Sequence, residues 1–332
     1  MWKRTGARCA RLRSRNDAER HQRQDSSEYT RSLLSRMHRN RTRAVVALML
    51  ALPALNGCLW HTRRVPQAKM PTAPVQTATP QQLVDLINRQ YDAIDALSAT
   101  VTFTATSGGT LSGKEKTITP FSGYILLRKP ESLRVIGYLP VVHSPAFDMA
   151  SNGDAFTLVI PPKNKAIEGT NTLAQPSPNA LENMRPFMFF NAMLIPKIQP
   201  QDELLPTADS DMVVDPKTKK LMIQPEYLLT VADHQDNSNI LQPQRVITFS
   251  RTELRPIEED IYDRSGQIQT QAMYGALQTF GTVRFPGTIT IRWPQQQEQI
   301  LITVQKLRVN LPLNDPTFEL KVPEGMPVQK LP

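Results

Sequence analysis

Two cysteines are the side chains of this sequence best suited to covalent chemistry. Cys9 lies in an arginine-rich leader, and Cys58 follows a short apolar run. The thiolate of a cysteine is a nucleophile. Cleavage at Cys58 would remove Cys9, so no internal disulfide could form, and the thiols supply neither a metal cluster nor a redox pair. Cys58 therefore requires a chemical role of its own.

The residues before Cys58 have the layout of a secretory signal peptide at 37–57. Three arginines precede the apolar residues 44–55, which are too few to span a membrane at about 1.5 Å per residue. The motif that follows resembles the lipobox of bacterial lipoproteins and consists of Leu55, Asn56, Gly57 and Cys58. Asn56 stands where Ala or Ser is usual. The resemblance implies signal-peptidase cleavage before Cys58 and a diacylglyceryl group on its sulfur.

A lipidated Cys58 would hold the protein at a membrane without any inserted protein segment. Acyl chains bury many methylene groups, each contributing about 0.8 kcal/mol. Leu59 occupies the place where, by the same resemblance, Asp would favour inner-membrane retention. We therefore expect an outer-membrane lipoprotein that faces the periplasm. The alternative is a signal peptide cleaved elsewhere, with Cys58 as an incidental thiol.

Residues 1–36 precede this signal, and Met37 would itself begin an ordinary signal peptide. We interpret 1–36 as a non-native or cleaved leader extension; an arginine-rich arm for an acidic partner is the alternative. Residues 1–43 hold 13 of the 39 basic side chains and 4 of the 30 acidic ones, so the rest of the chain holds 26 of each. A neutral body offers no electrostatic attraction to phosphate backbones. No nucleic-acid partner is expected.

After the lipidated cysteine, residues 58–78 are rich in Pro, Thr, Ala and Gln and predict an extended tether. Order is predicted to begin at Thr79, which can cap a helix with Pro80 at its first position and Gln82 completing a capping box. Short stretches with period-two hydrophobicity follow, separated by turn residues. Residues 79–332 are therefore predicted to form a single domain.

The succession of strands with few intervening helices predicts an α+β fold built on a curved antiparallel sheet. A short helix is predicted to begin near Ser177. Residues 186–194 predict another that is apolar on nearly every side and must be enclosed. Such a helix either belongs to the core or plugs a sheet whose interior is otherwise open.

The order of elements resembles the LolA/LolB-like superfamily of lipoprotein-localisation carriers and receptors of the bacterial envelope. The resemblance is carried by the patterns at 123–130, 133–135, 152–156, 261–274, 285–291 and 309–318. It implies an unclosed β-barrel of about eleven antiparallel strands, with helices across its mouth and an apolar cavity for acyl chains. Cys58 makes the chain more similar to the lipidated receptor type. An insertion at 201–220 departs from the pattern.

The receptor type carries an exposed apolar residue in a loop after a proline. Leu139, Val141 and Val142 occupy the corresponding place around Pro140, with Val where Leu is usual. This resemblance implies a loop that contacts membrane or acyl chains, because exposed apolar patches commonly mark such contacts. Burial of the same residues in the core is the alternative.

A second apolar set belongs to the helix at 186–194 and the residues before it. We predict a lid or cavity lining formed by Met184, Phe187, Phe190, Met193 and Leu194, since soft Met-rich surfaces suit varied apolar ligands. Ordinary core packing is the competing interpretation.

No constellation for catalysis is present in the sequence. It lacks the nucleophile-elbow, zinc-protease and phosphate-loop motifs. His143 and His234 lie in predicted loops, where solvated surface is the usual role. Glu258, Glu259 and Asp260 alternate along a predicted strand, and we interpret them as a solvated face. We expect no enzymatic activity, no cofactor and no metal.

Two classes of function remain. In the first, the protein is an anchored periplasmic receptor that takes acyl chains of lipoproteins or other lipids into an apolar cavity, with a periplasmic carrier protein as a candidate partner. In the second, it is a regulatory or scaffolding envelope lipoprotein that binds a protein partner on the same fold. An unfilled interior favours the first, and a tightly filled interior favours the second.

Overall fold

The folded body starts with a helix that begins directly after its capping residue, Thr79. The computed structural model describes residues 67–70, 74–171, 185–215, 218–235 and 238–331. Helix α1 (Pro80–Asp92) is capped by Thr79, whose hydroxyl accepts from the Gln82 N–H while the Gln82 side chain accepts from the Thr79 N–H. The capping box predicted from the sequence is confirmed. Leu83, Val84 and Ile87 form the buried face of α1.

The remaining elements are mostly strands. The first half of the chain forms β1 (Ala96–Gly109), β2 (Lys114–Thr117), β3 (Phe121–Arg128), β4 (Ser132–Tyr138), β5 (Pro145–Ser151), β6 (Ala155–Ile160) and β7 (Lys165–Thr170). The second half forms α2 (Pro186–Met193), β8 (Glu203–Val214), β9 (Leu221–His234), β10 (Leu241–Ser250), β11 (Arg255–Tyr262), β12 (Ile268–Tyr274), β13 (Leu277–Phe280), β14 (Val283–Pro286), β15 (Thr288–Trp293), β16 (Glu298–Val309) and β17 (Val328–Lys330). The predicted helix near Ser177 lies outside the described residues.

Nearly all of these strands join one curved sheet. Its order is β17-β7-β6-β5-β4-β3-β1-β16-β15-β12-β11-β10-β9-β8, with β2 paired to β1, while β13 and β14 form a separate hairpin. The first and last strands of this order do not pair with each other, so the barrel is unclosed. Within the part of the chain that the structure describes, the strand pairs of this sheet are antiparallel except β17 with β7. The predicted curved antiparallel sheet is confirmed.

The sheet has more strands than the eleven that the family resemblance implied. In the described residues it contains fifteen. The difference arises partly from the insertion at 201–220, because β8 pairs along its whole length with β9, from Glu203 opposite Ala232 to Val214 opposite Leu221. The insertion is therefore an extension of the sheet edge.

The core lies on the concave face of the sheet. Along β1, Leu97, Ala99, Val101 and Phe103 are buried and alternate with more exposed residues, which is the period-two pattern of a strand with one covered face. Strands β3, β4, β15 and β16 repeat this alternation. Helices α1 and α2 pack their apolar residues against the same face. The helices therefore cover the inner face of the sheet, as the predicted fold class implies.

Strand β8 forms one edge of the sheet, and no strand of the described residues pairs with its outer side. The N–H groups of Ser210 and Met212 donate to the carboxylates of Asp209 and Asp211, at 2.7 Å in both cases. Pro206 in the same strand has no N–H to donate. Side chains thus satisfy or remove hydrogen-bond donors along this edge.

The last part of the predicted tether contacts the body. Lys69 donates from its N–H to the Leu221 carbonyl at 2.9 Å and accepts from the Ile223 N–H at 2.8 Å. The Gln76 N–H donates to the Arg251 carbonyl at 2.8 Å. The chain therefore runs beside β9 before it enters α1.

Candidate functional site

Helix α2 fills the space inside the curved sheet. Its side chains are apolar on nearly all sides, and Met188, Phe189 and Met193 are almost fully buried. Trp293 of β15 donates from Nε1 to the Met188 sulfur at 2.9 Å, and its ring lies 6.2 Å from that of Phe189. The expectation that this helix must be enclosed is confirmed. We call α2 the plug.

The predicted lid residues belong to this plug or its borders. Phe190, Met193 and Leu194 are buried, and Phe187 is partly buried against the core. Met184 lies outside the described residues. The structure thus brings four of the five together inside the sheet, where they pack as core in this state.

Arginine side chains and main-chain hydrogen bonds fix the plug at both ends. Arg185, which precedes the plug, is 2% exposed and lies with its guanidinium 5.3 Å from the centre of the Phe156 ring. After the plug, Ile198 exchanges two hydrogen bonds with the Asn88 side chain of α1, at 2.8 and 3.0 Å. Arg245 of β10 donates to the Pro196 carbonyl at 2.8 Å. These contacts connect the plug to α1 and to the sheet.

The buried carboxylate of Glu259 pairs with Arg245, the arginine that binds the residues after the plug. Glu259 of β11 is 3.3 Å from the Arg245 guanidinium and accepts from the Tyr274 hydroxyl at 3.5 Å. Burial raises the pKa of Glu259 to about 7, although Arg245 and Tyr274 both lower it. Burial also raises the pKa of Tyr274. The prediction of a solvated face is therefore wrong for Glu259, whose side chain points into the core.

The neighbours of Glu259 lie on the outer face. Burial and the charges of Asp260 and Glu226 raise the pKa of Glu258 to about 7. Gln271 donates to both Glu258 and Asp260, at 3.1 and 2.9 Å. Among the residues that the structure describes, no group of His, Cys, Asp or Glu has an arrangement suited to a metal ion. These carboxylates form a half-buried acidic stripe on the outer face.

The loop around Pro140 lies at the surface. Val141 is 91% exposed and Val142 is 67% exposed, whereas Leu139 is partly buried. Val141 has φ 75°, a left-handed conformation that is strained for a β-branched residue. The Leu139 N–H donates to the Ser144 carbonyl at 2.8 Å and closes the turn. The two valines are therefore held out in solvent by a constrained turn, and their contact with membrane or acyl chains remains a prediction.

A small cavity lies beside the C-terminal end of the plug. Its volume is about 90 Å³, and its apolar wall includes Met193, Ile195, Phe285 and Ile289. Two arginines, Arg255 and Arg284, also line it. Ligand pockets typically measure several hundred Å³, so an acyl chain would not fit here while the plug is in place. No local sequence pattern predicts this cavity, because its residues come from distant parts of the chain.

The lipobox residues Leu55, Asn56, Gly57 and Cys58 lie outside the described residues. Within the described residues, no helix is long and apolar enough to cross a membrane.

Solved structures resemble this chain, although no protein-family model matches it and no curated protein matches it significantly. A LolA superfamily protein from Nitrosomonas europaea is 13% identical with a TM-score of 0.45, covering 74% of this chain and 99% of that chain. A DUF1329 family protein from Desulfovibrio piger is 14% identical with a TM-score of 0.43, covering 72% and 96%. A domain from Vibrio parahaemolyticus described as an outer membrane lipoprotein-sorting protein is 11% identical with a TM-score of 0.43, covering 72% and 96%.

One of these structures carries the name of the superfamily that the sequence resembles.

Proposed function

We propose that this protein is an outer-membrane lipoprotein, anchored through Cys58, whose curved sheet receives acyl chains of lipoproteins or other lipids when the plug moves aside. The observation that carries the proposal is the plug itself. The concave face of the sheet is covered by a separate eight-residue apolar helix. Because a short helix gains most of its stability from packing, displacement by another apolar group would exchange one set of apolar contacts for another.

The proposal assigns a function to the soft side chains of the plug. Met188 and Met193 can adapt their shape to a ligand at the helix border. The Pro140 loop would contact the membrane or the incoming acyl chain. A periplasmic carrier protein would be the source of a lipoprotein ligand, and no cofactor is needed because the transfer is hydrophobic.

Shortening one buried side chain of the plug tests this function. Met193→Ala should destabilise the fold by about 2 to 5 kcal/mol and leave a larger apolar cavity. We expect purified Met193→Ala protein to bind a fluorescent fatty-acid probe more tightly than the native protein. Leu127→Ala removes a buried side chain from β3 and is the matched control, because it should lower stability without a gain in binding.

Native mass spectrometry of the purified protein, followed by lipid extraction, supplies the second readout. Co-purified lipid would support the proposal. Absence of lipid, together with unchanged probe binding by Met193→Ala, would contradict it.

The tightly filled interior favours a second candidate function. In this alternative the protein is a regulatory or scaffolding lipoprotein, and the plug is permanent core. The Arg245 and Asn88 contacts that fix the residues after the plug would then serve stability alone. The Met193→Ala measurement separates the two functions, because permanent core would lose stability and gain no ligand.

The Pro140 loop provides a separate prediction. Val141→Asn combined with Val142→Asn should change the free energy of unfolding by no more than about 0.5 kcal/mol, because both side chains are exposed and Asn tolerates the left-handed conformation at position 141. The same double substitution should weaken binding of the protein to liposomes and to acylated peptide. Thermal melts and liposome co-sedimentation measure the two effects.

Leu311→Asn is the control for this loop, since Leu311 is an exposed apolar residue near the opposite end of the strands. It should leave liposome binding unchanged. A large loss of stability in the double variant would place the valines in the core, and unchanged binding would assign the contact to other residues.

A further inference from the structure

The cavity beside the plug has a mixed lining that the proposed function does not use. Met193 of the plug, Ile195, Phe285 and Ile289 contribute apolar side chains. Two arginines from separate elements, Arg255 and Arg284, line the same cavity. A partly open cavity lined by both apolar side chains and arginines is complementary to an amphiphile with an anionic head.

The first arginine, Arg255, begins β11 and is fixed in position. Its side chain is 15% exposed, pairs with Glu253, and donates from Nη1 to the Pro256 and Tyr274 carbonyls at 3.1 and 3.3 Å. Glu253 balances its charge. Arg255 is therefore a fixed part of the cavity lining.

The second arginine, Arg284, is differently placed. It lies on β14 in the β13–β14 hairpin, opposite Thr279, and its side chain is exposed. Among the described residues it has no ion pair or side-chain hydrogen bond. Its five N–H donors and its charge are thus available to a carboxylate or a phosphate, for which the planar guanidinium fork is well matched.

The hairpin that carries Arg284 is not part of the main sheet. Among the strands that the structure describes, β13 and β14 pair only with each other, and Phe285 and Pro286 at the end of β14 are buried and line the cavity. Gln90 of α1 also lines the cavity. The opening therefore lies between α1 and the hairpin, next to the C-terminal end of the plug. A tail that follows Met193 inward would enter the space that the plug occupies.

We propose that the opening between α1 and the β13–β14 hairpin admits amphiphiles with an anionic head, and that Arg284 binds the head while the tail replaces the plug. This inference rests on the proposed function, because the tail needs the interior. The shared chemistry is a carboxylate or phosphate oxyanion, whether it is borne on an acyl chain or free in solution.

Binding of three probes to the purified protein tests the proposal: oleate, oleyl alcohol and inorganic phosphate. We expect oleate to bind at least about tenfold more tightly than oleyl alcohol, which has the same chain without the charge, since a charge-assisted hydrogen bond contributes enough for such a factor. Arg284→Gln should weaken oleate binding by a similar factor and leave oleyl alcohol unaffected. Arg264→Gln, which changes an exposed arginine in the β11–β12 turn, is the matched control and should alter neither.

The outcomes separate this proposal from the function on which it rests. Equal binding of oleate and oleyl alcohol, unchanged by Arg284→Gln, would overturn the recognition of the head and leave lipid binding in place. Binding of neither would overturn both. Binding of inorganic phosphate without oleate would show a free-anion site and overturn the role of the tail.

Discussion

Cys58→Ser should abolish labelling of the protein by an alkyne fatty acid and release it from the membrane fraction. Serine is nearly isosteric with cysteine but lacks the thiol that would carry the diacylglyceryl group. The chain would then lose the acyl groups that bury methylenes at about 0.8 kcal/mol each. In-gel fluorescence after click coupling measures labelling, and fractionation of cell envelopes measures attachment.

Cys9→Ser is the control, since Cys9 precedes the predicted cleavage position. It should leave labelling and membrane attachment unchanged. Retained labelling in Cys58→Ser, or its loss in Cys9→Ser, would refute the assignment of the anchor.

The protein should lose stability as the pH rises from about 5 to 8, and Glu259→Gln should remove a large part of this loss. The pKa of Glu259 in the folded protein is about 7, above the ordinary value of 4.5. The folded state therefore binds this proton more tightly than the unfolded state does. The resulting stabilisation is complete below pH 4.5 and disappears as the pH passes 7, with a total of roughly 3 kcal/mol.

Urea unfolding at about pH 5, 6.5 and 8 measures this effect. The amide introduced by Glu259→Gln would remain neutral throughout, so the variant should unfold at similar urea concentrations at each pH, apart from the contribution of the half-buried Glu258. Arg245 would keep its hydrogen bonds to the Pro196 and Lys197 carbonyls. Glu319→Gln changes an exposed carboxylate and should leave the pH dependence as it is. A pH dependence that survives Glu259→Gln in full would show that this carboxyl does not titrate in the range.

Local patterns made the elements of the fold predictable. Thr79 and Gln82 form a capping box within four residues, so the start of α1 needs no tertiary information. The strands follow from period-two alternation, and the plug follows from a run with no polar side. The same alternation that places Glu258 and Asp260 outside places Glu259 inside, so its burial could have been inferred from the strand pattern.

The site itself depends on long-range pairing that local patterns do not encode. Arg245, Glu259 and Tyr274 come from three strands and meet only because β10, β11 and β12 pair in one register. Arg284 and Met193 line one cavity only because the β13–β14 hairpin packs near the C-terminal end of the plug. The role of 201–220 was equally hidden, because nearly every side chain of β8 is exposed and no buried face marks it as a strand.

The free edge at β8 bears on how copies of this protein tolerate crowding. An unprotected edge strand is a template for strands of other chains. Here the carboxylates of Asp209 and Asp211 accept from main-chain N–H groups that an added strand would need, and Pro206 offers none. Lipid-anchored molecules would share a two-dimensional surface and collide often in similar orientations. The edge chemistry of β8 disfavours their growth into a continuous intermolecular sheet, even though the edge is twelve residues long.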